Sequence, residues 1–299
     1  MLKKIKIHEV GFRDGLQNES KIVDTERKIN WIAQILNSGI DIVQIGSFVH
    51  PVKMPQMADT DTLFDYFSKI PHKALLSGLV LNEKGFERGM KCGVEMFCMG
   101  VSASETHSQK NTGMSIQKAT DVIISIAREA VNAGKVVQVS VQSAFGCGFE
   151  GKIPEENVLM IVGNYLDAGL KNISLADTAG YAYPEQVKRL FSSIKRIDES
   201  SVLTAHFHNT YGLGLANCYA AMSEGAEYFE TAFAGLGGCP FTKVAAGNVS
   251  TEDFVHSLNR NDVRRDIDLE KILNVADSAQ VYFEKENQSY LSKVGRLGY

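Results

Sequence analysis

Hydrophobic and polar positions repeat in one local pattern along the chain. An amphipathic stretch ends at a glycine, and a short apolar or β-branched run follows at once. A glycine just past a helix takes the left-handed conformation that closes the last turn, so these glycines are interpreted as helix stops. They are Gly39, Gly93, Gly134, Gly169 and Gly225. With three further apolar runs, the pattern predicts eight strands, at residues 5–10, 41–46, 74–80, 94–101, 136–143, 172–176, 202–207 and 228–234.

The segments between these runs have helical periodicity. After Thr25 and after Ser115, apolar residues recur at the three- and four-residue spacing of one helix face. Pro154 and Pro184 each precede acidic residues, which is typical of a first helical turn. The sequence therefore alternates predicted strands with predicted helices.

This alternation predicts an α/β fold, specifically a (β/α)8 TIM barrel with additional C-terminal helices. The strands are mostly continuous apolar runs, as expected when both faces of a parallel sheet are covered. An open, doubly wound sheet is the alternative. We interpret residues 1–299 as one domain, with the barrel at about 5–250 and a helical extension at about 251–299, because barrels of this kind reach such lengths as single domains.

Composition excludes several classes of function. The net charge is −4 without a basic stripe, which argues against nucleic-acid binding. No apolar run approaches the ~20 residues of a membrane span. Five cysteines, an odd number, favour free thiols in a reducing compartment, and the N-terminus resembles no leader. We therefore expect a cytoplasmic protein without nucleic-acid or membrane partners.

Polar side chains collect where the predicted strands end, which is where barrels of this kind carry their active sites. His206 and His208 end the seventh strand, and residues two apart on a strand point to the same face. Asp14 could add an anionic oxygen and Asn248 an amide oxygen. This mixed set favours Mg or Mn, with Zn also compatible. Two hydrogen-bonding core histidines are the alternative interpretation.

Cys239 lies at the tip of a glycine-rich turn after the eighth strand. A thiol there is either a small buried hydrophobe or a proton donor facing the metal site. His50, His107 and His256 fall on predicted loops or polar segments, and we expect them to be solvated.

Six segments together resemble the 3-hydroxy-3-methylglutaryl-CoA (HMG-CoA) lyase family. They occur in the family's order from about residue 5 to residue 255. They are EVGFRDGLQNE at 9–19, SFVHP at 47–51, SASET at 102–106, SLADT at 174–178, HFHNTYG at 206–212, and AGLGGCPF at 234–241 continuing to Gly247 and Asn248.

The resemblance implies a role for each matching residue. Asp14, His206, His208 and Asn248 match the metal-binding positions, and the implied reaction is retro-Claisen cleavage of HMG-CoA to acetyl-CoA and acetoacetate. The further implied catalytic residues are Arg13, which stabilises the enolate, Asp177, His206, the loop thiol Cys239 and the loop-proximal acid Glu252. We also expect Gln17, Gln44, Ser47 and Ser174 to bind the acyl-CoA substrate, and the protein to be a homodimer.

One departure from the family bears on the substrate. The family has a glutamate where this chain has Gln44, so a unit of negative charge is missing beside Arg13. We hypothesise that Gln44 marks a lyase for a related acyl-CoA or one with low HMG-CoA turnover. The alternatives are an aldolase or Claisen-type synthase of the same superfamily, and a catalytically impaired metal-binding barrel.

Overall fold

Eight parallel strands close into a barrel in chain order, with β8 pairing back to β1. The computed structural model describes residues 5–238, 246–286 and 288–295. The predicted (β/α)8 barrel is confirmed, and the open sheet is wrong because an open sheet would leave two strand edges unpaired. The strands are β1 Lys6–Glu9, β2 Ile42–Ser47, β3 Leu75–Leu79, β4 Met96–Ser102, β5 Val136–Gln142, β6 Asn172–Asp177, β7 Val202–Phe207 and β8 Tyr228–Thr231.

Helices surround the barrel and continue beyond it. Eleven α-helices lie in the described part of the chain, and the last three follow β8, as predicted for the C-terminal region. The helices are α1 Thr25–Leu36, α2 Thr60–Phe67, α3 Glu83–Lys91, α4 Glu105–Thr112, α5 Ile116–Asn132, α6 Glu155–Asp167, α7 Pro184–Ile197, α8 Gly214–Ser223, α9 Thr251–Asn259, α10 Leu269–Phe283 and α11 Tyr290–Val294. None of them is long and apolar enough to cross a membrane.

The helix boundaries follow local signals. All five predicted stop glycines have φ between 73° and 93°, in the left-handed region. Asp24 caps α1 by accepting from the Arg27 N–H, and Ser115 caps α5 in the same way. Pro154 is the residue just before α6, and Pro184 is the first residue of α7.

The eighth strand is shorter than predicted. It ends at Thr231 rather than at residue 234, because Phe233–Gly235 forms a 3₁₀ turn in which Ala234 has a φ of +58°. Ala232 forms an isolated bridge with Ser250, so the chain after the strand pairs with a segment outside the barrel. Such a long-range pairing cannot be read from hydrophobic periodicity.

The two faces of the barrel strands differ in composition. Their outer faces pack on the helices in one hydrophobic core that includes residues from Ile5 to Leu291. The helices after β8 belong to this core, since Trp31 of α1 donates to Ser278 of α10 at 2.9 Å. Inside the barrel, His8 of β1 reaches Ser77 of β3. Because β1 and β3 are not neighbours, this contact crosses a polar interior.

Candidate metal centre and active site

A cavity of about 570 Å³ opens at the carboxyl ends of the strands. Arg13, Asp14, Gln44, His206 and His208 all line it. The barrel thus brings together residues up to about 190 positions apart in sequence. The strand-end rule predicted this gathering.

Asp14 and Arg13 lie on a π-helical turn, Gly11–Gly15, directly after β1. The N–H groups of Arg13 and Asp14 donate to the Val10 carbonyl at 3.1 and 2.7 Å, which fixes the turn. Phe12, between the strand and these two residues, is buried against Phe233 with ring centroids 4.9 Å apart. The turn therefore points its polar side chains at the cavity while its aromatic ring anchors it in the core.

Asp14, His206 and His208 form the one cluster of potential metal ligands in the described residues, with ligand atoms within 4.8 Å of one another. Oδ2 of Asp14 lies 3.6 Å from Nε2 of His208 and 4.0 Å from Nε2 of His206. The two imidazole rings are 5.2 Å apart at an angle of 44°. One carboxylate oxygen and two ring nitrogens thus face a common point, a donor set that suits a divalent cation.

Asn248 completes the surroundings of this point. Its Nδ2 donates to Asp14 Oδ2 at 2.8 Å and to the Leu236 carbonyl at 3.0 Å. Its Oδ1 is buried and has no hydrogen-bond partner in the described structure. Gly237 permits this approach, because a Cβ there would come within 2.6 Å of Nδ2. The amide thus presents Nδ2, and not Oδ1, to the Asp14 carboxylate, while Oδ1 is a buried acceptor that a cation could satisfy.

The two oxygens of Asp14 have different partners. Oδ1 accepts from Nη1 of Arg13 at 2.5 Å and from Nε2 of Gln17 at 3.2 Å, whereas Oδ2 accepts from Asn248 and faces the two histidines. Burial alone would raise the pKa of Asp14, but Arg13 and the two histidines lower it well below its usual value. Nε of Arg13 donates to Oε1 of Gln44. Gln44 therefore holds the guanidinium of Arg13 through a neutral amide oxygen.

Glu230, which no motif of the sequence singled out, lies behind His206. Its Oε2 is 2.8 Å from Nδ1 of His206, an arrangement that leaves Nε2 free to face the cluster. Burial would raise the pKa of Glu230, yet the hydrogen bond with His206 and the nearby imidazole of His8 hold it well below the usual range. An acid within the mostly apolar run of residues 228–234 was the sequence signal that could have identified it.

The pKa values of the two ligand histidines shift in opposite directions. Burial lowers the pKa of each imidazole, but the Glu230 carboxylate raises that of His206 above its usual value. His208 has no such partner at Nδ1, and its pKa stays lowered by burial.

Asn248, which contacts Asp14, is not among the residues that line the cavity. Four further predicted site residues do not line it either: Ser47, Ser174, Asp177 and Glu252. Asp177 accepts from the Tyr181 and Ala182 N–H groups at 2.8 and 3.2 Å, and burial raises its pKa to about 7. Glu252 accepts from the Ala234 N–H at 3.0 Å, and burial raises its pKa well above its usual value. Both acids hold loops at the mouth of the barrel, and direct contact of these four residues with substrate stays a prediction.

Cys239 lies outside the described residues. The chain leading to it is anchored where Nδ2 of Asn18 donates to the Gly238 carbonyl at 2.8 Å. The four other cysteines are free, as the odd count suggested. Cys98 also lines the cavity, and burial raises its pKa to about 12.

The expectation that His107 is solvated is wrong. It lies on α4, is buried and lines the cavity. The short helix after β4 folds back over the barrel mouth, and its polar sequence gave no sign of that burial. His50, by contrast, is exposed as expected.

Comparisons with known proteins agree with this geometry. The family model described as HMGL-like matches residues 4–278. The chain is 35% identical over 276 residues to the hydroxymethylglutaryl-CoA lyase YngG of Bacillus subtilis, covering 92% of this chain and 91% of that one. It is 32% identical to the 3-hydroxy-3-isohexenylglutaryl-CoA/hydroxymethylglutaryl-CoA lyase of Pseudomonas aeruginosa, covering 97% of each chain.

Solved structures extend the similarity to the whole barrel. An HMG-CoA lyase from Acinetobacter baumannii, in complex with coenzyme A and 3-methylmalate, superposes with a TM-score of 0.91 at 36% identity. The match covers 99% of this chain and 96% of that one. The Bacillus subtilis HMG-CoA lyase superposes with a TM-score of 0.93 at 33% identity, over 98% of each chain.

Proposed function

The chain belongs to the HMGL-like family, and on that premise we propose that it is a metal-dependent acyl-CoA lyase. Its reaction is the retro-Claisen cleavage of HMG-CoA or a close analogue to acetyl-CoA and a 3-oxo acid such as acetoacetate. The observation that carries the proposal is the convergence of Asp14, His206 and His208 on one point of the cavity, with Arg13 against the same carboxylate.

Asp14, His206, His208 and Asn248 would hold the cation. Two imidazole nitrogens with a carboxylate and an amide oxygen favour Mg or Mn, and Zn is also compatible. A bound divalent cation supplies Lewis acidity, which polarises the tertiary hydroxyl of the substrate and a neighbouring oxygen. The orphaned Oδ1 of Asn248 supports its place in this set.

Arg13 stabilises the negative charge that develops on the departing acetyl-CoA enolate. The hydroxyl proton leaves to a base, the carbon–carbon bond breaks, and the enolate forms as the new ketone departs. Arg13 has five N–H donors, of which Nη1 binds Asp14 and Nε binds Gln44. The remaining donors serve the enolate oxygen, and the two contacts keep the guanidinium preorganised.

Cys239, which directly follows the anchored Gly238 in the chain, returns a proton to the enolate carbon in this proposal. Gln17 and Gln44 line the cavity and are our candidates for substrate contact, together with the predicted Ser47 and Ser174. Asp177 and Glu252 are the two further acids that we assign to catalysis, both with a raised pKa. We also propose a homodimer in solution, which sedimentation equilibrium would test.

An acyl-CoA with a larger branch is the second candidate substrate. Gln44 leaves Arg13 with one carboxylate partner instead of two, and Phe48, Leu79 and Met114 give the cavity an apolar wall. The Pseudomonas aeruginosa relative carries the name of an isohexenyl analogue as well as of HMG-CoA. These features support a substrate whose branch is longer than methyl.

Acetyl-CoA release from a panel of thioesters tests both candidates. The panel contains HMG-CoA, 3-hydroxy-3-alkylglutaryl-CoA thioesters with longer branches, and citramalyl-CoA, each with Mg²⁺ and with Mn²⁺. We expect metal-dependent release from at least one glutaryl-CoA thioester, and Asp14→Ala serves as the inactive control. If no member of the panel is cleaved while metal binds, the lyase assignment is wrong.

Gln44→Glu separates the two substrates. If Gln44 marks an analogue enzyme, the variant should gain activity on HMG-CoA and lose it on the longer branch. Fast cleavage of HMG-CoA that is equal in both proteins would contradict this role of Gln44.

A further inference from the structure

His8, Glu230 and His206 form one row across three adjacent strands. In the barrel register, Glu230 of β8 is paired with His206 of β7 on one side and with His8 of β1 on the other. Residues paired in this way project to the same side of a sheet, and His206 lines the cavity. The row therefore faces the barrel interior, directly below the candidate metal centre.

The carboxylate of Glu230 bridges the two imidazoles. Oε2 lies 2.8 Å from Nδ1 of His206 in a hydrogen bond, and Oε1 lies 3.5 Å from Nδ1 of His8, an ion-pair distance at which Nδ1 of His8 has no hydrogen-bond partner. At the other end of the row, Nε2 of His8 lies 2.8 Å from Oγ of Ser77. The contacts run from β3 through β1 and β8 to β7, and they end at the ring whose Nε2 faces Asp14.

All three side chains of the row are buried, so each of their polar groups needs a partner within the protein. His8 is 0% exposed, His206 5% and Glu230 7%, so these side chains have little contact with water that could replace a lost partner. A buried carboxylate needs partners on both oxygens, and each oxygen here faces one imidazole. Without His8, Glu230 would be free to rotate towards other polar groups of the interior. With His8 in place, the carboxylate is held from both sides.

We propose that His8 is a positioning residue for the metal centre, which acts by holding Glu230 in the orientation that fixes the ring plane of His206. This inference rests on the metal centre of the proposed function. His8 touches neither the cluster nor the cavity wall. Its effect reaches the ligand through the shared carboxylate, and it sets metal affinity rather than the chemistry of cleavage.

Mn²⁺ binding in the absence of substrate tests the inference, with free Mn²⁺ measured by electron paramagnetic resonance. We expect Glu230→Gln to weaken Mn²⁺ binding about 10- to 100-fold, the range for partners of metal ligands, and His8→Leu to weaken it about 10-fold. His8→Gln keeps an N–H donor for Glu230 and should bind Mn²⁺ within about 3-fold of the wild type. The absorption spectrum of the Co²⁺-loaded protein should change in His8→Leu and return in His8→Gln.

A double variant shows whether His8 acts through Glu230. If it does, adding His8→Leu to Glu230→Gln should cause no further loss of Mn²⁺ affinity, because the route is already broken. Tyr165→Phe is the matched control. It removes a buried hydrogen bond, to the Ser140 carbonyl, from a residue outside the row, and it should leave Mn²⁺ affinity unchanged.

The outcomes distinguish this inference from the proposed function. A wild-type protein that binds no Mn²⁺ would overturn both. A wild type that binds Mn²⁺, with His8→Leu equal to it in affinity and in the Co²⁺ spectrum, would overturn only the role of His8. Equal losses of Mn²⁺ affinity in His8→Leu and Tyr165→Phe would also overturn it, because the loss would then reflect lower stability in general. If His8→Leu does not fold, Ser77→Ala takes its place, because it removes the hydrogen-bond partner of His8 Nε2. Ser77→Ala should then change the Co²⁺ spectrum whereas His8→Gln should not, and an unchanged spectrum in Ser77→Ala would overturn the role of His8.

Discussion

The outer and inner faces of the barrel strands have opposite chemistry. On the outer face, Ile7, Ile173, Leu175 and Phe229 are 0% exposed and pack on the helices. On the inner face of the same strands lie polar residues that are also buried, among them His8, Ser174, Thr204 and Glu230. The inner face also has a small apolar cluster of Ile42, Met96 and Cys98. A barrel interior is usually filled by branched apolar side chains, so the large share of polar residues here is unusual.

The difference separates stability from chemistry. The outer layer gains free energy from the burial of apolar area, which needs no specific partner. The inner layer has polar groups that must find partners, and several have none in the described structure: Ser47 Oγ, Ser174 Oγ, His208 Nδ1 and Asn248 Oδ1. Unpartnered groups near the cavity are costly for folding and are suited to binding a ligand or a cation.

Removing a metal ligand from the inner layer should have the largest effect on metal affinity and turnover. We expect His208→Ala to weaken Mn²⁺ binding by more than about 100-fold and to abolish turnover, because even partners of ligands contribute 10- to 100-fold. Its Nδ1 has no partner, so its removal strands no buried group and the metal-free protein should keep its stability. Calorimetric titration and urea unfolding measure the two quantities.

His206→Ala sharpens this test. It should lose metal as His208→Ala does, but it also leaves the Glu230 carboxylate without its 2.8 Å partner. An uncompensated buried charge costs about 3 kcal/mol or more, so the metal-free variant should be less stable than His208→Ala. Equal stabilities of the two variants would show that the ion pair is not needed for folding.

A substitution that creates a cavity in the outer hydrophobic layer should lower stability without changing metal affinity. Leu190 of α7 is 0% exposed in the hydrophobic core. Leu190→Ala should lower the free energy of unfolding by about 3 kcal/mol, the usual cost of such a cavity, and leave Mn²⁺ affinity unchanged below the unfolding temperature. A loss of metal affinity in the folded variant would break the separation between the two layers.

Substitution of Cys239 should affect turnover alone. Cys239→Ser should keep metal affinity and lower turnover about 10- to 100-fold, since serine is a poorer proton donor than a thiol at neutral pH. Steady-state rates beside calorimetric titration of metal give the comparison. A fully active variant would remove Cys239 from the proposed mechanism.

Glu9, a buried acid on the outer side of β1, should make the stability of the protein depend on pH. It accepts from the Gly11 and Phe233 N–H groups and from Thr251, and burial raises its pKa from 4.5 to about 7. Between these two values the folded state binds more protons than the unfolded state, so stability should fall as pH rises through that window. Relative to Glu9→Gln, the wild type should lose about 2 kcal/mol between pH 4.5 and 7 in urea unfolding. Parallel pH profiles would contradict the raised pKa.

Much of the site could be predicted from the sequence. His206 and His208 share a strand face by parity alone, and Asp14 follows directly from the end of a strand. Glu230 and His8 were not recognised, because their role depends on which residues of β1, β7 and β8 are in register. His107 was misassigned because nothing in a polar helix reports that it folds over a cavity.

The sequence by itself determined the eight repeating units, the glycines that end the helices and the strand ends that carry polar groups. These are local properties, set by periodicity and backbone conformation within a few residues. Only the tertiary structure decided that Glu230 pairs with two histidines and that Asn248 donates to Asp14 across 234 positions. Barrel closure fixes the stagger between strands, and that stagger chooses which inward side chains meet.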